Sequence, residues 1–523
     1  MSIGKAVAIF SSFTFLSRIL GFVRDILSAS ILGAGFVADC FFVALKLPNF
    51  FRRLFAEGAF SAAFVPVFTA TLTKDGKEEA LSFAESAFSC LLVVLLSLVA
   101  LMEVFAPGLI YILTGGFGDD EVKFQLAVLL TRFTFPFLLC VSLVSLLGGI
   151  LNALGKFSET AATPIILNLC MISALIFFSN SMDTPAHSLA IAVTLAGIIQ
   201  LIWLYFACRR VGYRLRLVMP KVTPKVKQML VIMMPVALGA GVIQVNLMLD
   251  LILAARLPNG SISFLFYADR LNQLPVGVIG VALGTVLLPM LARNIAEGNA
   301  DECNYNQNRA IELGLFLTVP AAIAFMVVPY PLIHVLFERN AFTNADSWQT
   351  AYALMAYAAG LPAYVLAKVF SPGYFARQDT KTPVKYAMVA LVVNMTLNLI
   401  LMQYFAHVGL AMATAISAWL NVALLAGGLI RRGHFSFDRS VLIRLSKYAL
   451  ASAVMGGVVW GLMAPVSDLI AGPLLMKVTG LLILISSGVG SYIVMTLVTG
   501  AFSLREMKAL LRRKKAPAAD NAS

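Results

Sequence analysis

Five arginines, Arg18, Arg24, Arg52, Arg53 and Arg270, fall inside stretches apolar enough to be embedded in lipid. Each intramembrane guanidinium costs about 2.5–3.5 kcal/mol on insertion scales unless it faces a polar cavity. A guanidinium is always charged and grips phosphate oxygens through a planar fork, so a cavity lined by several suits a diphosphate better than a neutral sugar or a cationic drug. Asp25, Asp39, Lys46, Glu57, Asp250, Arg256, Asp269 and Lys368 also lie within the apolar stretches. These charges concentrate in the first two stretches and in the seventh and eighth, and basic groups outnumber acidic ones. Purely structural pairings compete with ligand contact. Arg53 and Glu57 are four apart on one helical face, Asp39 and Lys46 are seven apart, Arg24–Asp25 and Asp269–Arg270 are adjacent, and Arg256 and Lys46 sit where a long side chain can snorkel. The acids in reach are too few to neutralise Arg18, Arg24, Arg52 and Arg270 together.

A second constellation pairs Asn246 with Asp250 in the seventh stretch and Asn394 with Asn398 in the eleventh, each pair four apart. Oxygen-rich groups at membrane depth can hold Na+ or take a proton, which would couple transport to an ion gradient; interhelical hydrogen bonding is the competing role. No G-x-x-x-x-G-K-[ST] occurs, and Gly155-Lys156 is followed by Phe157, so an ATP-hydrolysing motor is not expected. The four histidines are scattered, and the six cysteines stand singly without metal or redox spacing.

The elements that must position these groups are membrane helices. The chain has 523 residues, 60% hydrophobic and 12% charged, with mean hydropathy +0.89, the composition of an all-α polytopic membrane protein. A spanning helix needs about 20 apolar residues, and fourteen stretches of that kind run from 3–35 to 473–502. Kinks are expected near Gly21, Pro48, Pro275 and Pro289. Lysines and arginines concentrate in the even-numbered loops and the tail: seven in 209–227, five in 431–447 and six in 505–515. The odd loops hold few and carry the acidic run Asp119, Asp120, Glu121. Both termini are therefore expected in the cytoplasm. The net charge of +13 is mostly this loop bias and calls for no nucleic acid.

The basic, proline-containing loop 209–227 divides the chain into two sets of six. Residues 1–220 form an N-lobe, 221–445 a C-lobe, 446–504 a pair of extra helices and 505–523 a basic cytoplasmic tail. Ala38-Asp39 with Leu47-Pro48 in the first half echo Ala268-Asp269 with Leu274-Pro275 in the second, as duplicated, pseudo-symmetric lobes would. Gly280 and Gly284 make a GxxxG in the eighth stretch, ordinarily a helix-packing motif.

Ser17-Arg18-Ile19-Leu20-Gly21-Phe22-Val23-Arg24-Asp25, Leu47-Pro48-Asn49 with Arg52 to Ser61, Tyr267 to Leu271, and Phe375 to Pro383 resemble the signature strings of the MurJ (MviN) lipid II flippases. The resemblance runs through the whole chain. It implies the fold of the multidrug/oligosaccharidyl-lipid/polysaccharide exporter superfamily: two six-helix lobes around a cavity and two C-terminal helices forming an apolar groove for a lipid tail. It further implies lipid II as cargo in the bacterial inner membrane, with membrane lipids and cell-wall synthesis proteins as candidate partners and no demand for more than a monomer. No cofactor is implied beyond coupling to Na+, H+ or the membrane potential. Arg18, Arg24, Arg52 and Arg270 correspond to the family's essential cavity arginines, with Asp39, Asp269 and Lys368 as further functional positions. A flippase for another polyprenyl-linked glycan, a drug antiporter, a membrane-embedded enzyme acting on polyprenyl diphosphates and a scaffold for cell-wall synthases stay open from the residues alone. A drug antiporter would call for an acidic cavity, and a scaffold leaves the arginines unexplained.

Overall fold

The computed structural model describes residues 3–53, 60–118 and 120–501, with backbone alone for 3–11, 238–240, 242–243 and 281. The tail 505–523 and Glu57 lie outside the described residues. The described residues are almost entirely helical, and no strand occurs among them. This is the outcome lipid demands, since a helix satisfies its backbone polar groups within its own segment. Among the described residues, ten helical stretches are each long and apolar enough to cross a membrane.

In order, α1 is Ile3–Leu32, α2 Phe36–Phe51, α3 Ser61–Lys74, α4 Lys77–Thr114, α5 Glu121–Thr134, α6 Phe137–Ala153, α7 Phe157–Ala161, α8 Thr163–Phe177 and α9 Pro185–Arg210. The second half contains α10 Pro224–Ala254, α11 Ser261–Pro275, α12 Val281–Ala296, α13 Ala300–Val327, α14 Pro329–Phe337, α15 Asn344–Phe375, α16 Lys381–Arg431, α17 Arg439–Ala471 and α18 Leu474–Val498.

Prolines account for some of the interruptions. Pro275 ends α11, and a single π-turn, Val276–Gly280, follows it; four residues after Pro48, α2 passes into π-helix at Arg52 and Arg53. No break occurs near Gly21, where α1 runs on to Leu32 and a Cβ would make only an ordinary contact, 3.6 Å, with Asn168 Nδ2 on α8. Helix also continues through Pro289. At 51 residues, α16 would be about 77 Å long if straight. It turns instead at Ala406, whose φ of 46° and ψ of −129° are not helical, at the boundary expected between the eleventh and twelfth stretches.

The chain forms two compact units. The first comprises Met1–Tyr267, Leu336–Thr350 and Met395–Leu410. Its core stacks Phe64 on Phe68 and Phe83, both at 5.5 Å between centroids, against Leu147, Leu204 and Cys208. The second comprises Ala268–Val335, Ala351–Asn394 and Ala411–Ser523. One of its cores joins α13, α15 and α16 through Ile311, Phe370, Tyr374 and Leu425, and another packs α17 and α18 together through Met455, Val459, Leu484 and Tyr492. In the loop before α16, Asp379 accepts from the Thr382 hydroxyl at 2.6 Å and from Arg432 at 2.7 Å. Those two donors, the hydroxyl first, hold its carboxyl well below the usual carboxylate range.

Candidate functional site

Arg18 and Arg24 project from α1 into different surroundings. Arg18 is exposed and makes no hydrogen bond or ion pair among the described residues. Arg24 is nearly buried: its Nη2 lies 2.7 Å from Asp25 Oδ1, and its Nη1 donates to Asn168 Oδ1 at 3.0 Å. Asn168 returns a bond from Nδ2 to the Ser17 carbonyl at 3.0 Å, so α1 and α8 are joined side by side. The pairing of Arg24 with Asp25 weighed from sequence is therefore present. At the end of α2, Arg52 donates to Asn49 Oδ1 at 3.0 Å and Arg53 is exposed. The expected Arg53–Glu57 pair lies outside the described residues.

Asp39 lies in the first turn of α2. It is 1% exposed. Its Oδ2 accepts the Gly260 N–H at 2.7 Å, and its Oδ1 accepts the Ser263 N–H at 3.0 Å and the Ser263 hydroxyl at 2.7 Å. These N–H groups are the unsatisfied donors at the start of α11, where a helix end favours negative charge. The cation beside Asp39 is Lys123, with Nζ at 3.7 Å, whereas Lys46 is exposed. Lys123 also donates to Asn259 Oδ1 at 2.7 Å and lies 4.2 Å above the Phe117 ring.

Around this cluster the odd-numbered loops close on one another within the first unit. Tyr267 donates from its hydroxyl to the Gly33 carbonyl at 3.3 Å, and the Ala341 N–H donates to the Ser30 carbonyl at 3.0 Å. His407 Nε2 lies 3.0 Å from the Gln349 carbonyl. Beneath them Phe42 stacks on Phe266 at 3.9 Å and Tyr267 packs on Phe337 and Phe342. Backbones approach so closely that a Cβ at Gly33 would lie 2.5 Å from the Ala341 carbonyl oxygen and one at Gly260 2.4 Å from that of Ala34. Both glycines also have positive φ, 69° and 93°, a conformation other residues rarely adopt. These loops are thus tied together by a polar network beside an aromatic layer.

The Asn/Asp constellation is partly assembled. Asn398 Nδ2 donates to Asp250 Oδ1 at 2.8 Å, and Asn246, one turn earlier on α10, keeps a buried Oδ1 without a hydrogen bond. Asn394 belongs to the second unit.

The second unit also holds Asp269, Arg270 and Lys368. Asp269 accepts from Gln273 at 3.2 Å, and Arg270 is half-buried. Lys368, also half-buried, lays its stem along the GxxxG surface: a Cβ on Gly280 would be 2.9 Å from Lys368 Cδ. The motif thus accommodates the stem of a lysine side chain.

Two groups escaped the sequence reading. Lys123 carried a signal as one of few basic residues at an odd loop. Glu312, a carboxylate inside an apolar stretch, accepts from Arg309 at 2.8 Å, Arg444 at 2.9 Å and the Tyr448 hydroxyl at 2.9 Å.

Known proteins share this architecture. A chain from Rhizobium tropici named "Probable lipid II flippase MurJ" is 42% identical over 529 residues, 99% of each chain; one of that name from Vibrio cholerae is 39% identical over 97% of each. The solved structure "Lipid II flippase MurJ, inward closed conformation" superposes with TM-score 0.76 at 27% identity, covering 97% of this chain and 100% of that one. An inward-facing multidrug resistance MATE transporter of the MOP superfamily, 14% identical with TM-score 0.66 over 82% of this chain and 98% of its own, shares the fold. A family model described as "Lipid II flippase MurJ" matches residues 28–480, and with full-length relatives at this identity the chain belongs to the MurJ lipid II flippase family.

Proposed function

We propose that this chain flips lipid II, the undecaprenyl-diphosphate-linked peptidoglycan precursor, from the cytoplasmic to the periplasmic leaflet of the bacterial inner membrane by alternating access. Beyond family membership, the observation that carries this reading is Arg18, a guanidinium within the first apolar helix that has no protein partner among the described residues. A cation left in that position calls for an anionic ligand. In this reading fourteen spans form lobes 1–220 and 221–445, with 446–504 a groove for the polyprenyl tail and both termini cytoplasmic, so that the odd loops face the periplasm.

Arg18, Arg24, Arg52, Arg53, Arg270 and Lys368 neutralise the diphosphate, with Asp269 orienting its neighbours. The headgroup enters from the cytoplasmic side while the odd-loop face is closed. Release outward then requires the hydrogen bonds of Asp39 to Gly260 and Ser263 to break, each worth about 1.5–3 kcal/mol because one partner is charged. Asp250, Asn246, Asn398 and Asn394 supply the oxygens for a coupling Na+ or proton, and neither a cofactor nor ATP is needed.

The test is translocation in cells depleted of their own flippase and expressing this chain, read with a periplasmic colicin that cleaves only outward-facing lipid II. Cleavage product with the wild type and none with Arg270→Ala supports the assignment. No product from a well-inserted wild type transfers the reading to another polyprenyl-linked glycan, and chemically altered lipid on thin-layer chromatography transfers it to an enzyme.

A further inference from the structure

The proline-bearing end of α2 is held by a residue of α5 that stands outside the charged clusters. Pro48 has no N–H, so the Ala44 carbonyl four residues earlier lacks its regular helical donor. Ala44 is 0% exposed. Bulk water therefore does not reach that carbonyl, and a backbone group left unmet away from water is costly. The Thr134 hydroxyl in the last turn of α5, on a residue also 0% exposed, donates to the Ala44 oxygen at 3.0 Å. The same hydroxyl lies 3.2 Å from the Thr131 carbonyl of its own helix. That oxygen already accepts the Phe135 N–H at 2.8 Å, so of the two acceptors it is Ala44 that needs the hydroxyl.

Beyond Pro48 the chain leads directly to Arg52. Asn49 Nδ2 donates to the Leu45 carbonyl at 2.9 Å, and Asn49 Oδ1 accepts from Arg52 Nε at 3.0 Å. The Arg52 N–H reaches back to the carbonyls of both Pro48 and Asn49. Phe51 packs edge-on against Phe135, the neighbour of Thr134, with centroids 5.9 Å apart. Thr134 and Phe135 thus hold α2 on either side of Pro48. The direction in which the last turn of α2 leaves the proline, and with it the place of the half-buried Arg52, is set by α5.

We propose that Thr134 is a positioning residue for Arg52: its hydroxyl supplies the donor that Pro48 withholds from Ala44 and so fixes the turn that carries the guanidinium to the diphosphate of the cargo. This rests on the reading of Arg52 as a cargo contact. A hydroxyl that only joined two helices would change how firmly the protein folds. A positioning hydroxyl acts through Arg52, and its effect on binding vanishes once the guanidinium is gone.

The experiment compares full-length variants, purified in detergent, for Tm and for the dissociation constant of purified lipid II. Thr134→Val keeps the shape and removes the hydroxyl; it should lower Tm and raise the dissociation constant at least about fivefold, since a guanidinium fork tolerates little misplacement. Thr134→Ser keeps the hydroxyl and should stay within about twofold of wild type. Pro48→Ala returns an N–H to position 48, so in that background Thr134→Val should lower Tm no further. In an Arg52→Ala background, itself weaker for lipid II than wild type, Thr134→Val should change the dissociation constant by less than about twofold. If Thr134→Val alone does not fold, recovery of folded protein on adding Pro48→Ala supports the proposal and failure to recover it overturns it, with Thr134→Ala carrying the affinity comparison. Wild-type affinity in Thr134→Val, an equal Tm loss in the Pro48→Ala background, or an undiminished loss of affinity in the Arg52→Ala background would overturn the positioning role while leaving Arg52 a cargo contact. An Arg52→Ala variant that binds lipid II as the wild type does would instead overturn the reading on which that role rests.

Discussion

Ser263 donates twice to one carboxylate oxygen of Asp39, through its N–H at 3.0 Å and its hydroxyl at 2.7 Å. A serine on the first turn of α11 thereby holds the first turn of α2, with the Gly260 N–H occupying the other oxygen at 2.7 Å. Asp39→Asn keeps the shape but removes the charge and sets an amide donor against donors. With bonds to a charged group worth about 1.5–3 kcal/mol each, the closed face should open at least about tenfold more often. Labelling of Ala34→Cys, a buried position, by a membrane-impermeant maleimide measures this; equal labelling with and without the Asp39→Asn substitution would show that the aromatic layer beneath holds the face shut.

Arg18 and Arg24 should separate transport from stability. Arg24→Ala leaves Asp25, 4% exposed, without its guanidinium. Removing one partner of a buried pair costs about 3–5 kcal/mol, so Tm should fall together with activity. Arg18→Ala breaks no bond within the described protein and should abolish colicin-detected flipping with Tm unchanged. Matching Tm losses in the two variants would mean that Arg18 is a structural residue.

These cases show what could be read from the chain and what could not. The helices were legible because an apolar run of spanning length has one solution in lipid, and Arg18 was legible because its charge is out of place there. The partner of Asp39 was not legible. Gly260 and Ser263 lie 221 and 224 residues away, and nothing local foretells that α2 meets the start of α11, whereas Lys46 was a plausible neighbour by spacing alone. Asp250 and Asn398 were singled out on separate helices, but only the fold joins them. The turn in α16 falls on Ala406, a residue with no turn preference, so its boundary came from length and not from turn chemistry. Lys123 and Glu312 were overlooked because the charges were weighed by their clustering in duplicated helices, and each of these stands outside those clusters.

The contact between Lys368 and Gly280 makes a graded prediction. A Cβ at Gly280 would come within 2.9 Å of Lys368 Cδ and 3.5 Å of Val365 Cγ2, while one at Gly284 would meet the Lys368 carbonyl oxygen at 3.4 Å and Lys368 Cβ at 3.9 Å. The Lys368 stem can give way, so Gly280→Ala should insert normally but displace the ammonium and lower flipping several-fold. Gly280→Leu should abolish it, and Gly284→Ala should stay near wild type. Equal losses in the two alanine variants would assign the effect to helix packing rather than to the lysine.

Glu312 should govern how firmly the last two helices are attached. One of its oxygens accepts from Arg444 and the Tyr448 hydroxyl on α17, the other from Arg309. That hydroxyl also lies 3.3 Å from the Ala501 carbonyl beyond α18. The carboxylate is 4% exposed, against 28% for Arg309 and 36% for Arg444. Solvent around the two guanidinium groups therefore reduces the usual cost of breaking a buried pair, to about 1–3 kcal/mol. Glu312→Ala should lower Tm and raise amide exchange in 439–501 before the remainder of the chain responds, and Glu312→Gln, which keeps an acceptor for Tyr448, should do so less. If exchange in 439–501 stays at the wild-type level in both variants, the apolar contacts of Met455, Val459 and Leu484 suffice to hold α17 and α18, and the carboxylate serves the arginines instead.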